Sequence, residues 1–201
     1  MPWLALALYL LYLGLAFGWR TWLMLTRAGT SGFHGISGTP AQAQWWGGVL
    51  FAVALVAGLV APVLQLAGAT PPLAALDTTG IAVIGTGIAV AGIAGTLVAQ
   101  AAMGDTWRIG IDEQERTALV TRGVFARVRN PVFTAMLAVA IGLALITPNV
   151  VALAGTAALL LAIELQVRYA EEPYLRRAHG PAYVDYAATS GRFFPGIGRL
   201  G

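Results

Sequence analysis

Apolar residues run almost unbroken over five stretches of the chain, and polar residues collect between them. The first three runs cover about residues 3–25, 45–66 and 80–102. A fourth covers 132–146, stops at Thr147-Pro-Asn149, and is followed by a fifth over about 150–167. A membrane-crossing helix needs ~20 mainly apolar residues. The first three runs therefore predict spans, and the last two, each near the lower limit, predict the arms of a helical hairpin with its tip at Pro148 and Asn149. The expected fold is an all-α polytopic membrane protein of about five transmembrane helices. The last two form the short hairpin, and a helical tail follows.

The breaks between runs have recognisable chemistry. The Gly-, Ser- and Thr-rich segment 28–44 has no helical period and reads as a mobile loop, with His34 a loop residue rather than a catalytic one. Gly68-Ala-Thr-Pro-Pro72 ends the second run because two prolines cannot continue a helix. Gly80, Gly85, Gly87, Gly92 and Gly95 give the third run a small-residue face, which lets helix backbones approach closely in lipid. Gly85-Thr-Gly87 is not a dinucleotide fingerprint, because no strand precedes it and Val90 occupies the third glycine position. Two domains are expected: a three-span membrane bundle over 1–102, and a connector, hairpin and tail over 103–201 that form the cofactor-binding catalytic region.

Composition agrees with the pattern. Of 201 residues, 58% are hydrophobic and 10% charged, and the mean hydropathy is +0.74. That is far more apolar than a soluble domain. The absence of cysteine excludes disulfides, thiolate metal sites and cysteine nucleophiles, and His34 and His179 have no metal-ligand spacing, so no metal is expected. The first run lacks a basic leading region and has the length of a full span, so it is expected to be retained rather than cleaved.

The net charge of +3 comes from twelve arginines, without lysine, against nine acids. Its distribution matches membrane sidedness, so nucleic acid is not the expected partner. Arg27, five arginines of the 103–129 connector and five from Arg168 onward fall on one side of a five-span chain. By the positive-inside rule the amino terminus lies outside, and the connector, active site and tail are cytoplasmic.

The polar residues concentrate at the two feet of the hairpin. At one foot, Arg129-Asn130-Pro131 opens a helix, with the proline where its missing N–H costs nothing. A helix amino terminus beside an arginine suits a carboxylate or phosphate. At the other foot Glu164, Arg168, Glu171 and Glu172 follow one another along a helix, with Arg168 and Glu172 four apart on one face, before Pro173 kinks or ends it. Tyr183 and Tyr186 then share a face of the tail, and Gly191-Arg-Phe-Phe-Pro195 closes the chain back toward the membrane. Polar groups kept at both feet of a membrane hairpin point to a ligand site.

These residues carry a resemblance. The order Leu119-Val-Thr-x-Gly-Val-Phe125, Arg129-Asn-Pro-x-Phe133, Gly142, Asn149, Arg168, Glu171-Glu172, Leu175, Gly180, Tyr183, Tyr186 and Pro195 resembles the isoprenylcysteine carboxyl methyltransferase family and its phospholipid methyltransferase relatives, over about 80 carboxyl-terminal residues. The resemblance implies S-adenosylmethionine as methyl donor and a lipophilic small-molecule or lipid-modified acceptor reached from the bilayer. It implies a cofactor pocket lined by Thr117, Leu119, Val120, Phe125, Arg129, Asn130, Pro131, Phe133, Tyr183 and Tyr186. Glu171 or Glu172 would meet the donor's polar groups, and Arg168 would face the acceptor. Four positions depart from the family pattern: Thr117 and Asn130 stand where histidine is usual, and Phe125 and Phe133 where tyrosine is usual. Two other functions fit the same composition, an NADPH-dependent membrane reductase of the steroid reductase-like type and a non-catalytic membrane scaffold.

Overall fold

The computed structural model describes residues 1–31, 35–36, 38–104 and 118–200. Among the described residues eight α-helices follow in order: α1 (Pro2–Leu13), α2 (Arg20–Ala28), α3 (Ala43–Leu66), α4 (Thr79–Met103), α5 (Pro131–Ile146), α6 (Val150–Gln166), α7 (Glu172–His179) and α8 (Pro181–Thr189). A π turn over Gly14–Trp19 joins α1 to α2, and another over Val167–Glu171 joins α6 to α7. Among the described residues there is no strand, only two isolated bridges. Among the described residues four continuous helices are long and apolar enough to cross a membrane: Pro2–Arg27, Ala43–Leu66, Thr79–Met103 and Val150–His179. The helix Pro131–Ile146 is apolar but shorter, so the two hairpin arms, expected to be similar, are unequal.

Local chemistry sets the helix ends. The Thr78 hydroxyl caps α4 by accepting from the Ile81 amide at 3.3 Å. Asn149 caps α6 by accepting from the Ala152 amide at 2.9 Å, while its Nδ2 donates to the Ala61 carbonyl at 3.0 Å and to Gln65 Oε1 at 2.9 Å. One buried amide thus starts a helix and ties the hairpin tip to the end of α3. The Leu73 amide completes the tie by donating to the Pro148 carbonyl.

The two arms pack on different partners. Along α4 and α5 the backbones touch. A Cβ on Gly142 would lie 2.5 Å from the Ala89 nitrogen, one on Gly85 2.7 Å from the Gly142 carbonyl, and one on Gly92 2.7 Å from the Val139 nitrogen. The α6 arm lies instead along α3, where Gly155 faces Ala57 and Gly47 faces the Ala162 carbonyl. The first span closes the bundle through Tyr9, Tyr12 and Ala16, which pack with Ile93, Val139 and Leu143. Its carboxyl-terminal half is tied to the end of α4, where Gln100 Nε2 donates to the Ala16 carbonyl at 2.8 Å and Arg20 donates to the Gly104 carbonyl. His34 and most of the connector, including Thr117, lie outside the described residues.

Candidate functional site

The feet of the hairpin are held together by a buried polar clamp, and its centre is Arg129. Its guanidinium Nη1 donates to the carbonyls of Ala187 (3.0 Å) and Ser190 (2.5 Å), and Nη2 to Gly198 (2.8 Å) and to Glu172 Oε1 (3.0 Å). Arg192 meets the same carboxylate from the other side, Nε to Oε1 at 2.8 Å and Nη2 to Oε2 at 2.9 Å. Glu172 is thus shared by two arginines. Side-chain exposures of 2% for Arg129 and 10% for Glu172 make this a desolvated cluster, which holds only because the charges satisfy one another.

The backbone reinforces it. Val128 and Gly191 form a parallel bridge, the Arg129 amide donates to the Gly191 carbonyl at 2.8 Å, and the Asn130 amide donates to the Arg192 carbonyl at 3.1 Å. Asn130 Nδ2 donates to that same carbonyl, and the Thr134 hydroxyl donates to the Phe193 carbonyl at 2.8 Å. Gly191 has no room for a side chain, since a Cβ there would lie 1.8 Å from the Phe194 carbonyl oxygen. The tail is therefore strapped across the start of α5.

Three aromatic residues pack beside the strap. Phe125 is buried in the short 3₁₀ turn Gly123–Ala126, and its carbonyl accepts from the Tyr186 hydroxyl at 2.6 Å. Tyr183 is 1% exposed, with its ring centroid 6.3 Å from that of Tyr186. Burial, then the nearby Glu172 carboxylate, pushes the Tyr183 hydroxyl up to about 12, and burial also raises Tyr186. Both hydroxyls remain protonated donors near neutral pH and neither serves as a base.

The site residues expected from sequence divide into groups. Phe125, Arg129, Asn130, Glu172, Tyr183 and Tyr186 gather around the clamp. Pro131 and Glu171, next in sequence to clamp residues, are half-buried, as are Leu119, Val120 and Phe133, the last packed against two apolar clusters of the bundle. Arg168 stands apart. The spacing placed it on one face with Glu172; in the structure Arg168, half-exposed, pairs with Glu164, while Glu172, which follows the π turn Val167–Glu171, is buried in the clamp. The same turn carries the helix through Pro173, which sits in the first turn of α7 and does not end it. The anion-binding arginine expected at the start of α5 is largely spent on the clamp, and among the described residues only its Nε is left without a partner. Arg192 and Ser190 were missed from sequence, although Gly191-Arg-Phe-Phe-Pro195 had marked the segment.

Fold and site together define an all-helical, polytopic membrane protein whose polar centre lies where one hairpin's feet meet the carboxyl-terminal tail. The phospholipid methyltransferase family model matches residues 80–182, just over half of the chain, from the start of α4 into α8. The chain belongs to the phospholipid methyltransferase family, and is a membrane methyltransferase. No curated protein and no solved structure gives a significant match.

Proposed function

We propose that the protein moves a methyl group from S-adenosylmethionine to a lipophilic acceptor, an isoprenoid or lipid carboxylate or headgroup, at the feet of the hairpin. The supporting observation is that the family match covers both feet, which the Arg129–Glu172–Arg192 clamp draws together. In this reading residues 103–201 form the catalytic region, residues 1–102 are its membrane scaffold, and the arginine-rich face is cytoplasmic.

The residues present fit the cofactor chemically. Leu119, Val120 and Phe133 are half-buried apolar side chains, and Phe133 carries a ring face suited to a sulfonium cation. Asn130 uses its Nδ2 on the strap, which leaves its carbonyl oxygen to accept a hydrogen bond, as the usual histidine could. The buried Nε of Arg129 can donate to a carboxylate. When bound, the cofactor supplies an electrophilic methyl group and its own leaving group, so the protein has to align and exclude water more than it has to provide a strong base. Glu172, committed to two arginines, positions the tail. Glu171 is assigned the donor's polar groups or an acceptor proton, and Arg168 an anionic acceptor group at the membrane interface, where its surface pair with Glu164 is weak enough to exchange.

The test is thermal stability of the detergent-purified protein with S-adenosylmethionine, S-adenosylhomocysteine or NADPH. A ligand at a hundredfold excess over its Kd adds about 2.7 kcal/mol. Both adenosyl compounds are expected to raise the midpoint, NADPH is not, and Asn130→Ala should abolish the shift. A shift with NADPH alone would establish a reductase instead, and no shift with any of the three in folded protein would leave a scaffold.

A further inference from the structure

Beyond the clamp the tail carries a turn that stands out from the bundle. In Phe194-Pro195-Gly196-Ile197 a proline precedes a glycine at φ +78°, and the Ile197 amide donates to the Phe194 carbonyl at 3.1 Å, the pattern of a type II turn. Both roots of the turn are fixed. The Arg192 amide donates to the Ile197 carbonyl at 2.8 Å, and the Arg129 guanidinium holds the Gly198 carbonyl. The apex is nevertheless apolar and open, with Phe194 57% exposed and Ile197 67%. A turn held this firmly presents the two side chains as a fixed pair rather than as a loose end.

The height of the turn along the bundle identifies what covers it. Gly47 of α3 meets the Ala162 carbonyl and the Gln166 amide, which sets the neighbouring Trp45–Trp46 pair level with the last turn of α6. Tryptophans of membrane proteins gather at the lipid interface, and Trp46 is exposed there. Phe193 packs against the cluster of Ala54, Leu159, Ile163 and Val167, which lies at that level and deeper. Its carbonyl is held by Thr134, in the first turn of the apolar α5. Phe194, the next residue, thus leaves the bundle at the depth of the interfacial tryptophans. Its surroundings there are lipid rather than water. Exposed Arg199 follows the turn within two residues and supplies the positive charge that lipid phosphates attract.

We propose that Phe194 and Ile197 insert into the bilayer leaflet at the hairpin feet, and that this wedge seats the tail against the bundle. The partner is the phospholipid interface itself. Insertion adds a lipid contact to the clamp, so the position of Arg192 depends on the membrane as well as on Glu172. The inference rests on the height of the turn and is independent of the reaction the site carries out.

The chain has no cysteine, so Ile197→Cys takes a nitroxide label at one position, and Asp185→Cys, exposed on α8, serves as the reference. The full chain is reconstituted in bilayers of phosphatidylcholine and phosphatidylglycerol, where collision with dissolved oxygen reports lipid and collision with a water-soluble nickel chelate reports water. The label at 197 should favour oxygen and be several-fold less open to nickel than the label at 185. Equal access to nickel at the two positions would overturn the proposal. So would a label at 197 shielded from both probes, because protein rather than lipid would then cover the turn. Phe194→Ser combined with Ile197→Ser leaves every clamp group in place and should speed proteolytic release of the tail several-fold in the same bilayers. An unchanged rate in folded protein would show that the turn does not seat the tail, and should the double variant fail to fold, the label at 197 decides alone.

Discussion

The α4–α5 contact and the clamp at the hairpin feet hold the same helix by opposite means. Along α4 the contact is made by absence: Gly85, Gly92 and Gly142 have no side chains, so backbones meet at distances a methyl group would forbid. At the feet it is made by presence, a carboxylate and two guanidiniums brought from positions 129, 172 and 192. In lipid, where helices gain little from hydrophobic burial against one another, close packing serves for adhesion. Where the chain leaves the lipid, directional polar contacts take over and also give the fold a particular tail position. Small residues thus align the helix, and charges set what stands beside its first turn.

Removing the shared carboxylate should have the largest effect. Glu172→Ala leaves Arg129 buried without its charge partner, for which about 3–5 kcal/mol is the ordinary cost. Thermal unfolding in detergent should show the full loss, and limited proteolysis should release the tail after residue 189 first. Arg192→Ala should cost less, because Glu172 keeps Arg129. If the two variants are equally destabilised, the clamp is all-or-none, and losing either member undoes it; if Glu172→Ala costs the sum of two separable pairs, Arg192→Ala costs only its own share.

The next largest effect belongs to the bundle. Gly142→Ala places a methyl group against the backbone of α4 and should cost about 1–3 kcal/mol, as overpacking does. Gly87→Ala, on the α4 glycine face expected from sequence, meets nothing within 4 Å and should be neutral or slightly stabilising. Equal midpoints for the two would remove the distinction between glycines that make contact and glycines that do not.

That distinction marks where sequence reasoning was sufficient and where it was not. The apolar runs were legible because each is long, and the helix bounds differ from the runs by a few residues. The hairpin tip was legible from Thr147-Pro-Asn149, since Asn149 is both a cap and a tie. Which glycines pack was not legible: the third run is apolar on every side, so it has no phase to say that Gly85 and Gly92 face α5 while Gly80 and Gly87 do not. The π turn at Val167–Glu171 was equally hidden, and so was the division of labour beside it, Arg168 on Glu164 and Glu172 in the clamp. The family motif held Arg129 and Glu172 but gave no sign that they bind each other, because the partners are 43 residues apart and Arg192, which is not one of the motif's residues and lies beyond the family match, completes them.

The smallest effect tests whether the strap and the segment before α5 are one unit. The Tyr186 hydroxyl donates to the Phe125 carbonyl at 2.6 Å and so links α8 to the 3₁₀ turn Gly123–Ala126. Tyr186→Phe keeps the ring and loses about 1 kcal/mol with that hydrogen bond. If Phe125 belongs to the ligand pocket, the variant should bind S-adenosylhomocysteine several-fold more weakly, beyond any fall in its midpoint, because the loosened turn no longer holds Phe125 in place. A lower midpoint with unchanged affinity would assign Tyr186 and Phe125 to the scaffold, and would confine the pocket to Asn130, Phe133 and Glu171 at the start of α5 and the end of the π turn.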